Sequence, residues 1–292
     1  MVTITVPAST ANIGPGFDTL GLALNMYNVY EFEEINEGLV IEGCSDKYKN
    51  KDNLVYKSFM YTAEIIGRKF KGLKISMHTE IPVSKGLGSS SACIVGGVFG
   101  ANSLLEGNLL KDDLFKIAVK IEGHPDNVAA AVYGGLTASI VDEGKPYCLN
   151  YNISDNIKFC ALIPDFEVST HEARELLPTE IPFKDALFNI SRTAVLLKAL
   201  EEGNLIAVNV AMHDKLHQKF RKTLIYEFDE VFKICRDNRS PAFFISGSGP
   251  TLMNIIENSD FTNKIRYDIM NLKYNWEIKY LLADKKGVIV NR

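Results

Sequence analysis

The chain has 292 residues, 46% of them hydrophobic and 23% charged, with a formal net charge of −4. This length is long for one hydrophobic core, so two packed lobes of a globular protein are expected. The mildly acidic balance, with a pI near 5.8, argues against a nonspecific binder of nucleic acid or acidic membrane, so a polyanionic ligand must be held by local groups.

Residues 3–8 alternate as a strand and run into a glycine-rich loop, Ser9-Thr-Ala-Asn-Ile-Gly-Pro-Gly-Phe-Asp18. Strand patterns follow over 20–25 and 27–34, then a turn-rich stretch around Gly38 and Gly43. Asp52-Asn53 suits the cap of a helix over 54–67, and Leu73, Ile75, Met77, Thr79 and Ile81 mark a half-buried strand. Next comes Pro82-Val-Ser-Lys-Gly-Leu-Gly-Ser-Ser-Ser-Ala92, which sets glycines, consecutive hydroxyls and a lysine between that strand and a helix over 92–105. Gly96, Gly97 and Gly100 within this helix would each weaken it by roughly 1 kcal/mol, which implies close packing against another backbone. A helix from 112 or 113 to 122 ends at Gly123 and Pro125, and a strand follows Gly134-Gly135 over 136–141. The remainder reads as strand 158–163, helices 169–177, 183–202, 204–218 and 226–237, strands 242–245 and 251–256, helix 260–272 and a final strand pair. The class is α+β, with a boundary in the polar stretch 150–157 that divides the chain into 1–155 and 156–292.

Scattered cysteines (Cys44, Cys93, Cys148, Cys160, Cys235) form no Cys-x-x-Cys pair, which favours buried free thiols over a zinc ribbon or redox motif. Residues after Met1 lack a charged-then-apolar leader pattern and no run of about 18 apolar residues occurs, so a cytoplasmic protein is expected.

Several constellations carry chemistry. The 82–92 loop is neither a P-loop nor a complete dinucleotide fingerprint, since Ser91 stands where the third glycine would fall. It is either a serine-rich turn or an anion cradle, in which backbone N–H groups and the helix N-terminus face a phosphate. Glu122, in Glu122-Gly-His-Pro-Asp-Asn127, shares a helical face with Leu114 and Ala118, so it needs a salt-bridge partner or a cation such as Mg²⁺. Ser169 and Glu172 form a capping-box pattern, and Thr170 and Arg174 face the same way, the arginine offering a fork for a carboxylate. His213, His217 and Arg221 would share one stripe of the 204–218 helix and its continuation; His213-Asp-Lys-Leu-His217 lacks the third ligand of a zinc site. Ser246-Gly-Ser-Gly-Pro-Thr251 is either a hairpin turn or a loop that closes over a phosphate or over the glycine-rich loop near 86.

Taken together, the segments near 3–18, 82–92 and 246–251 resemble the motifs of the GHMP kinases, in order and over nearly the whole chain. Within them, Pro7 to Asp18, Glu122 to Asn127, Ser169-Thr-x-x-Ala-Arg174 and His213-Asp-x-x-His217 with Arg221 look like the homoserine kinase family. The resemblance implies a two-lobed fold: an N-terminal lobe like a ribosomal-protein domain with a left-handed βαβ crossover, and a ferredoxin-like C-terminal lobe. It implies ATP as phosphoryl donor, L-homoserine as acceptor, Mg²⁺ on Ser90 and Glu122, and a homodimer; the charge balance leaves no nucleic acid or membrane among the expected partners. On the nucleotide side it implies Asn53, Pro82, Lys85, Gly86, Leu87, Gly88, Ser89, Ser90, Ser91 and Ala92. Around the amino acid it implies Asn12, Asp18, His124, Asn127, Thr170, Arg174 and Arg221, with Asn127, Asp18 and Glu122 acting in catalysis.

A zwitterion needs cations for its carboxylate (Arg174, Arg221) and an anion for its ammonium (Asp18); a buried Asp18 would disfavour mevalonate, which has no ammonium. The alternatives are another GHMP small-molecule kinase, of mevalonate or sugar type, and a GHMP-fold ligand sensor without catalysis.

Overall fold

A computed structural model describes residues 1–292. Its strands in chain order are β1 (Val2–Ala11), β2 (Leu20–Ile35), β3 (Gly38–Glu42), β4 (Gly72–Thr79), β5 (Leu136–Asp142), β6 (Lys145–Tyr151), β7 (Lys158–Pro164), β8 (Ala242–Ile245), β9 (Leu252–Ile256), β10 (Trp276–Leu281) and β11 (Ile289–Asn291). The helices are α1 (Leu54–Ile66), α2 (Ser89–Leu104), α3 (Lys111–Glu122), α4 (Asp126–Tyr133), α5 (Thr170–Glu175), α6 (Phe183–Glu202), α7 (Leu205–Ala211), α8 (Gln218–Arg221), α9 (Phe228–Asp237) and α10 (Asp260–Met270). No helix is long and apolar enough to cross a membrane.

The first sheet runs β11-β1-β2-β4-β3, with β5 paired to β2 and β6 to β5. The strand patterns at 20–25 and 27–34 belong to one strand, β2. Its register against β1 shifts between Pro7 and Ala8, so the alternation falls out of step there and reads as two strands in the sequence. β3 and β4 are parallel, with α1 connecting them. α1 starts as expected: the Asn53 side chain accepts from the N–H groups of Val55 and Tyr56 at 2.9 and 3.3 Å.

α2 lies against β1, β2 and α1. A Cβ on Gly96 or Gly100 would meet the rings of Tyr30 and Phe32, and one on Gly97 would meet the backbone of α1. The weak intrinsic propensity of α2 is therefore offset by burial: Ile94, Val95, Val98 and Ala101 are at most 1% exposed.

The second sheet is antiparallel in the order β10-β7-β9-β8. Helices separate its first two strands and α10 separates its last two, the ferredoxin-like arrangement. Strands 276–281 and 289–291 do not pair with each other: β10 joins β7, whereas β11 returns to β1. The last residues of the 156–292 segment thus close the sheet of the 1–155 segment.

The expected helix over 204–218 is also divided. α7 ends at Ala211 and α8 begins at Gln218. Between them the Asp214 carboxylate accepts from the backbone N–H groups of Leu216 (3.0 Å), His217 (2.9 Å) and Gln218 (2.7 Å). A short acidic side chain that bonds the following N–H groups competes with helix continuation and starts a new helix instead.

Candidate active site

A cleft of ≈ 760 Å³ opens among the loop after β1, the loop before α2, the start of α4, α5 and the β8–β9 turn. The loop before α2 supplies its floor. Gly86 and Gly88 have φ of +73° and +71°, and a Cβ on either would collide with the Ser246 and Gly249 backbone or with the Ser9 hydroxyl. Both alternatives for 246–251 therefore hold. The segment is the turn between paired β8 and β9, and it also closes on the 82–92 loop, with the Ser246 hydroxyl donating to the Gly86 carbonyl at 2.6 Å and the Thr251 N–H donating to the Lys85 carbonyl at 3.3 Å.

Ser89 is the first residue of α2, a helix of 16 residues whose free N–H groups carry about half a positive charge. Directly above, Glu122 ends α3 and accepts from the Ser90 hydroxyl (2.8 Å, Oε2) and the Ser91 hydroxyl (2.7 Å, Oε1). This is the partner that an acid on the apolar stripe required. A carboxylate beside an exposed hydroxyl is also a donor set that a hard cation accepts. Lys85 donates from Nζ to the Phe166 carbonyl at 2.7 Å, and burial lowers its pKa. Pro82, Leu87, Ser91 and Ala92 do not line the cleft as side chains in the way Lys85, Ser89 and Ser90 do; Leu87, Ser91 and Ala92 are buried beneath it.

The opposite wall carries the charges. Asp18 and Arg174 form a two-bonded pair, Nη1 to Oδ2 at 2.9 Å and Nη2 to Oδ1 at 2.8 Å. The expected burial of Asp18 is not met: its side chain is 35% exposed, because the loop that carries it forms the cleft rim. The hydrogen bond to Asp18 raises the Arg174 pKa. Arg221 is only 2% exposed, donates to the Gly247 and Ala173 carbonyls at 2.9 and 3.4 Å, and lies over the Phe17 ring. Burial, then repulsion from Arg174, pulls its pKa down to about 10, so it stays charged at neutral pH.

Asn12 does not present a free amide. Its Nδ2 donates to the Gly247 carbonyl at 2.8 Å and its Oδ1 accepts from the Asp18 N–H at 3.0 Å. Asn12 and Ile13 both have positive φ, 70° and 41°, and for a β-branched residue that is a strained conformation. The turn is thus held by cross-lobe bonds in the shape that puts Asp18 on the rim.

His124 and Asn127 stand between the two walls. The His124 Nδ1 lies 2.9 Å from Asp126 Oδ1, an interaction that raises its pKa against the opposing effect of burial. Asn127 accepts the Ser9 hydroxyl at 2.9 Å, which leaves its amide N–H groups to donate. Thr170 faces Ser248 across 3.2 Å. Ser169 does cap α5, but its side chain makes no capping bond, so the Ser169–Glu172 box is not formed.

The stripe of His213, His217 and Arg221 is not formed either. His213 is exposed, whereas His217 is buried. The His217 Nε2 lies 2.8 Å from the Gly14 carbonyl, an acceptor, so Nε2 carries the hydrogen. Burial lowers its pKa, so the ring is neutral and its 3.8 Å approach to Asp214 is not an ionic bond. Sequence reasoning assigned no role to Ser9, Phe17, Asp126, Asp214 or Asn189. The first four lie inside motifs already singled out, and an acid close to a histidine was the available signal for Asp126 and Asp214; Asn189 reaches the Pro15 carbonyl and Asp214 from far along the chain.

Comparison with known proteins agrees with this geometry. Residues 53–135 match the model of the GHMP kinases N terminal domain. Over 293 aligned residues the chain is 48% identical to a homoserine kinase of Clostridium botulinum (strain ATCC 19397 / Type A), covering 100% of this chain and 99% of that protein. The crystal structure of a homoserine kinase from Cytophaga hutchinsonii superposes with a TM-score of 0.86 at 26% identity, covering 99% of this chain and 97% of that one. An L. major mevalonate kinase in complex with R-mevalonate shares the fold, with a TM-score of 0.76 at 15% identity over 97% and 95% of the two chains. A glycine-serine loop at a helix start, an acid bound to its hydroxyls and a full-length relative thus agree: the chain belongs to the homoserine kinase family of the GHMP kinases.

Proposed function

We propose that the protein transfers the γ-phosphoryl group of ATP to the side-chain hydroxyl of L-homoserine. The observation that carries this reading is the division of one cleft into a phosphate-binding floor (Gly86, Gly88, Ser89, Ser90, Glu122) and a wall bearing both signs of charge (Asp18, Arg174, Arg221). The 48% identical relative bears the homoserine kinase name, which supports the same substrates.

In this reading the amides of 86–91 and the N-terminus of α2 hold the triphosphate, and Lys85 adds a positive charge beside it. Ser90 and Glu122 would hold Mg²⁺, which supplies charge neutralisation on the phosphate oxygens. Arg174 and Arg221 take the substrate carboxylate and Asp18 takes its ammonium. Asn127 cannot serve as a base, so its amide donates to and orients the acceptor hydroxyl, which Ser9 helps by fixing the Asn127 carbonyl. In-line attack then depends on positioning, with the proton leaving late to phosphate.

ADP release from Mg·ATP with L-homoserine, L-serine, mevalonate and galactose tests the reading. Homoserine-dependent release is expected to dominate. Preference for mevalonate or galactose would instead select another GHMP kinase, and binding without turnover would select a sensor.

A further inference from the structure

Asp18 and Arg174 are 156 residues apart in the chain and meet across the cleft through both oxygens of the one and both terminal nitrogens of the other. Each thereby uses the face that the proposed substrate needs: Asp18 for an ammonium, Arg174 for a carboxylate. We infer that this pair is an internal counterpart of the zwitterion, which the substrate divides, so that only a ligand carrying both charges re-pairs both halves. The inference rests on the amino-acid kinase reading above.

Two features support it. The side chains of Arg174 and Asp18 are 39% and 35% exposed, and an ion pair in that setting contributes little, so dividing it is cheap when both partners are satisfied again. Arg221 and Asp126 also face the cleft, with Arg221 anchored by the Gly247 and Ala173 carbonyls and Asp126 by His124 and the Asn127 N–H. Glu167 and Glu172 also line the cleft near α5, but the Asp18 carboxylate and the Arg174 guanidinium bond each other. A zwitterion re-pairs both. A ligand with one charge gains one pair, loses one, and leaves an unpaired charge on the wall.

The opposing arrangement keeps Asp18 on Arg174 throughout, as a clamp, with Arg221 alone receiving the carboxylate. Analogues that retain the hydroxyl separate the two: 4-hydroxybutyrate lacks the ammonium and 3-aminopropan-1-ol lacks the carboxylate. kcat/KM for ADP formation is measured for both analogues and homoserine with the parent enzyme, Asp18→Asn and Arg174→Gln.

Asp18→Asn releases Arg174, so its kcat/KM should fall about a hundredfold for homoserine yet rise about threefold to fivefold for 4-hydroxybutyrate. Arg174→Gln should show the reverse choice, with the gain for 3-aminopropan-1-ol. Each variant is read alone, so either suffices if the other does not fold. Asp18→Asn losing 4-hydroxybutyrate turnover in parallel with homoserine, or Arg174→Gln losing 3-aminopropan-1-ol turnover, overturns the inference and selects the clamp. A parent enzyme without homoserine-dependent turnover removes the kinase reading itself, and the inference with it.

Discussion

Asp214→Ala is expected to damage both stability and substrate affinity, because one buried carboxylate holds a junction that the active site depends on. Its oxygens accept from three backbone N–H groups at 2.7–3.0 Å and from the Asn189 amide at 2.7 Å. Burial pushes the Asp214 pKa up, but the hydrogen bonds from Asn189 and from the N–H groups of Gln218 and His217 leave it lowered. Alanine would strand these donors where water reaches them poorly. At about 1–3 kcal/mol for each stranded group, less the relief of an expensive buried charge, the net loss is roughly 3–5 kcal/mol. For a chain of this size that is about 5–8 °C in Tm.

The same junction positions Arg221, which lies at the end of α8, and Gln218, whose Oε1 accepts from the Ile245 N–H at 2.8 Å. The homoserine KM should therefore rise about tenfold or more. Asp214→Asn keeps an acceptor and should lose about half as much stability. Urea titration and steady-state kinetics provide both readings. An alanine variant within about 1 kcal/mol of the parent, with unchanged KM, would refute the reasoning.

Other outcomes follow from the same geometry. His217 is buried with its pKa lowered below the usual 6.5, so the unfolded chain binds the proton more readily; this contribution is complete above about pH 6.5 and is lost as pH falls through the folded pKa, with a slope up to about 1.4 kcal/mol per pH unit. His124, with its pKa raised, opposes this, so the comparison is between parent and His217→Gln: the variant should lose less stability between pH 7 and pH 5, and parallel curves would contradict the assignment. Glu122→Gln should lower kcat by about a hundredfold and weaken the Mg²⁺ dependence while leaving homoserine affinity nearly intact; unchanged metal titration would remove Glu122 from the cation site. Asn127→Ala should lower kcat about tenfold to a hundredfold more than it raises KM, and full kcat would end its orienting role.

The glycine-serine loop at the start of α2 was legible in the sequence because it is local: glycines, hydroxyls and a helix start lie within eleven residues, 82–92. Helix α2 was legible for the same reason, although its stability comes from Tyr30, Phe32 and α1 rather than from propensity. Elements fixed by distant partners were harder to see. β3 is a short strand, mostly exposed and flanked by glycines, which reads as turns; its existence depends on parallel pairing with β4. α4 follows directly on the left-handed Gly123, so the signal that ends α3 masks the next start.

The charged wall of the cleft shows the same limit. Residue types named Asp18, Arg174 and Arg221, but no spacing could reveal that the first two bind each other. Nor could it show that the Asp214 turn directs His213 outward and His217 inward. Helical periodicity placed both histidines on one face because it cannot register a side chain that competes for backbone N–H groups.

The most direct test of the central claim is phosphorus NMR of the protein mixed with Mg·ATP and L-homoserine. Transfer to the side-chain hydroxyl predicts a new phosphomonoester resonance that grows in step with the ADP signals and requires homoserine. ADP accompanied only by inorganic phosphate, or no reaction by a folded protein, would contradict it.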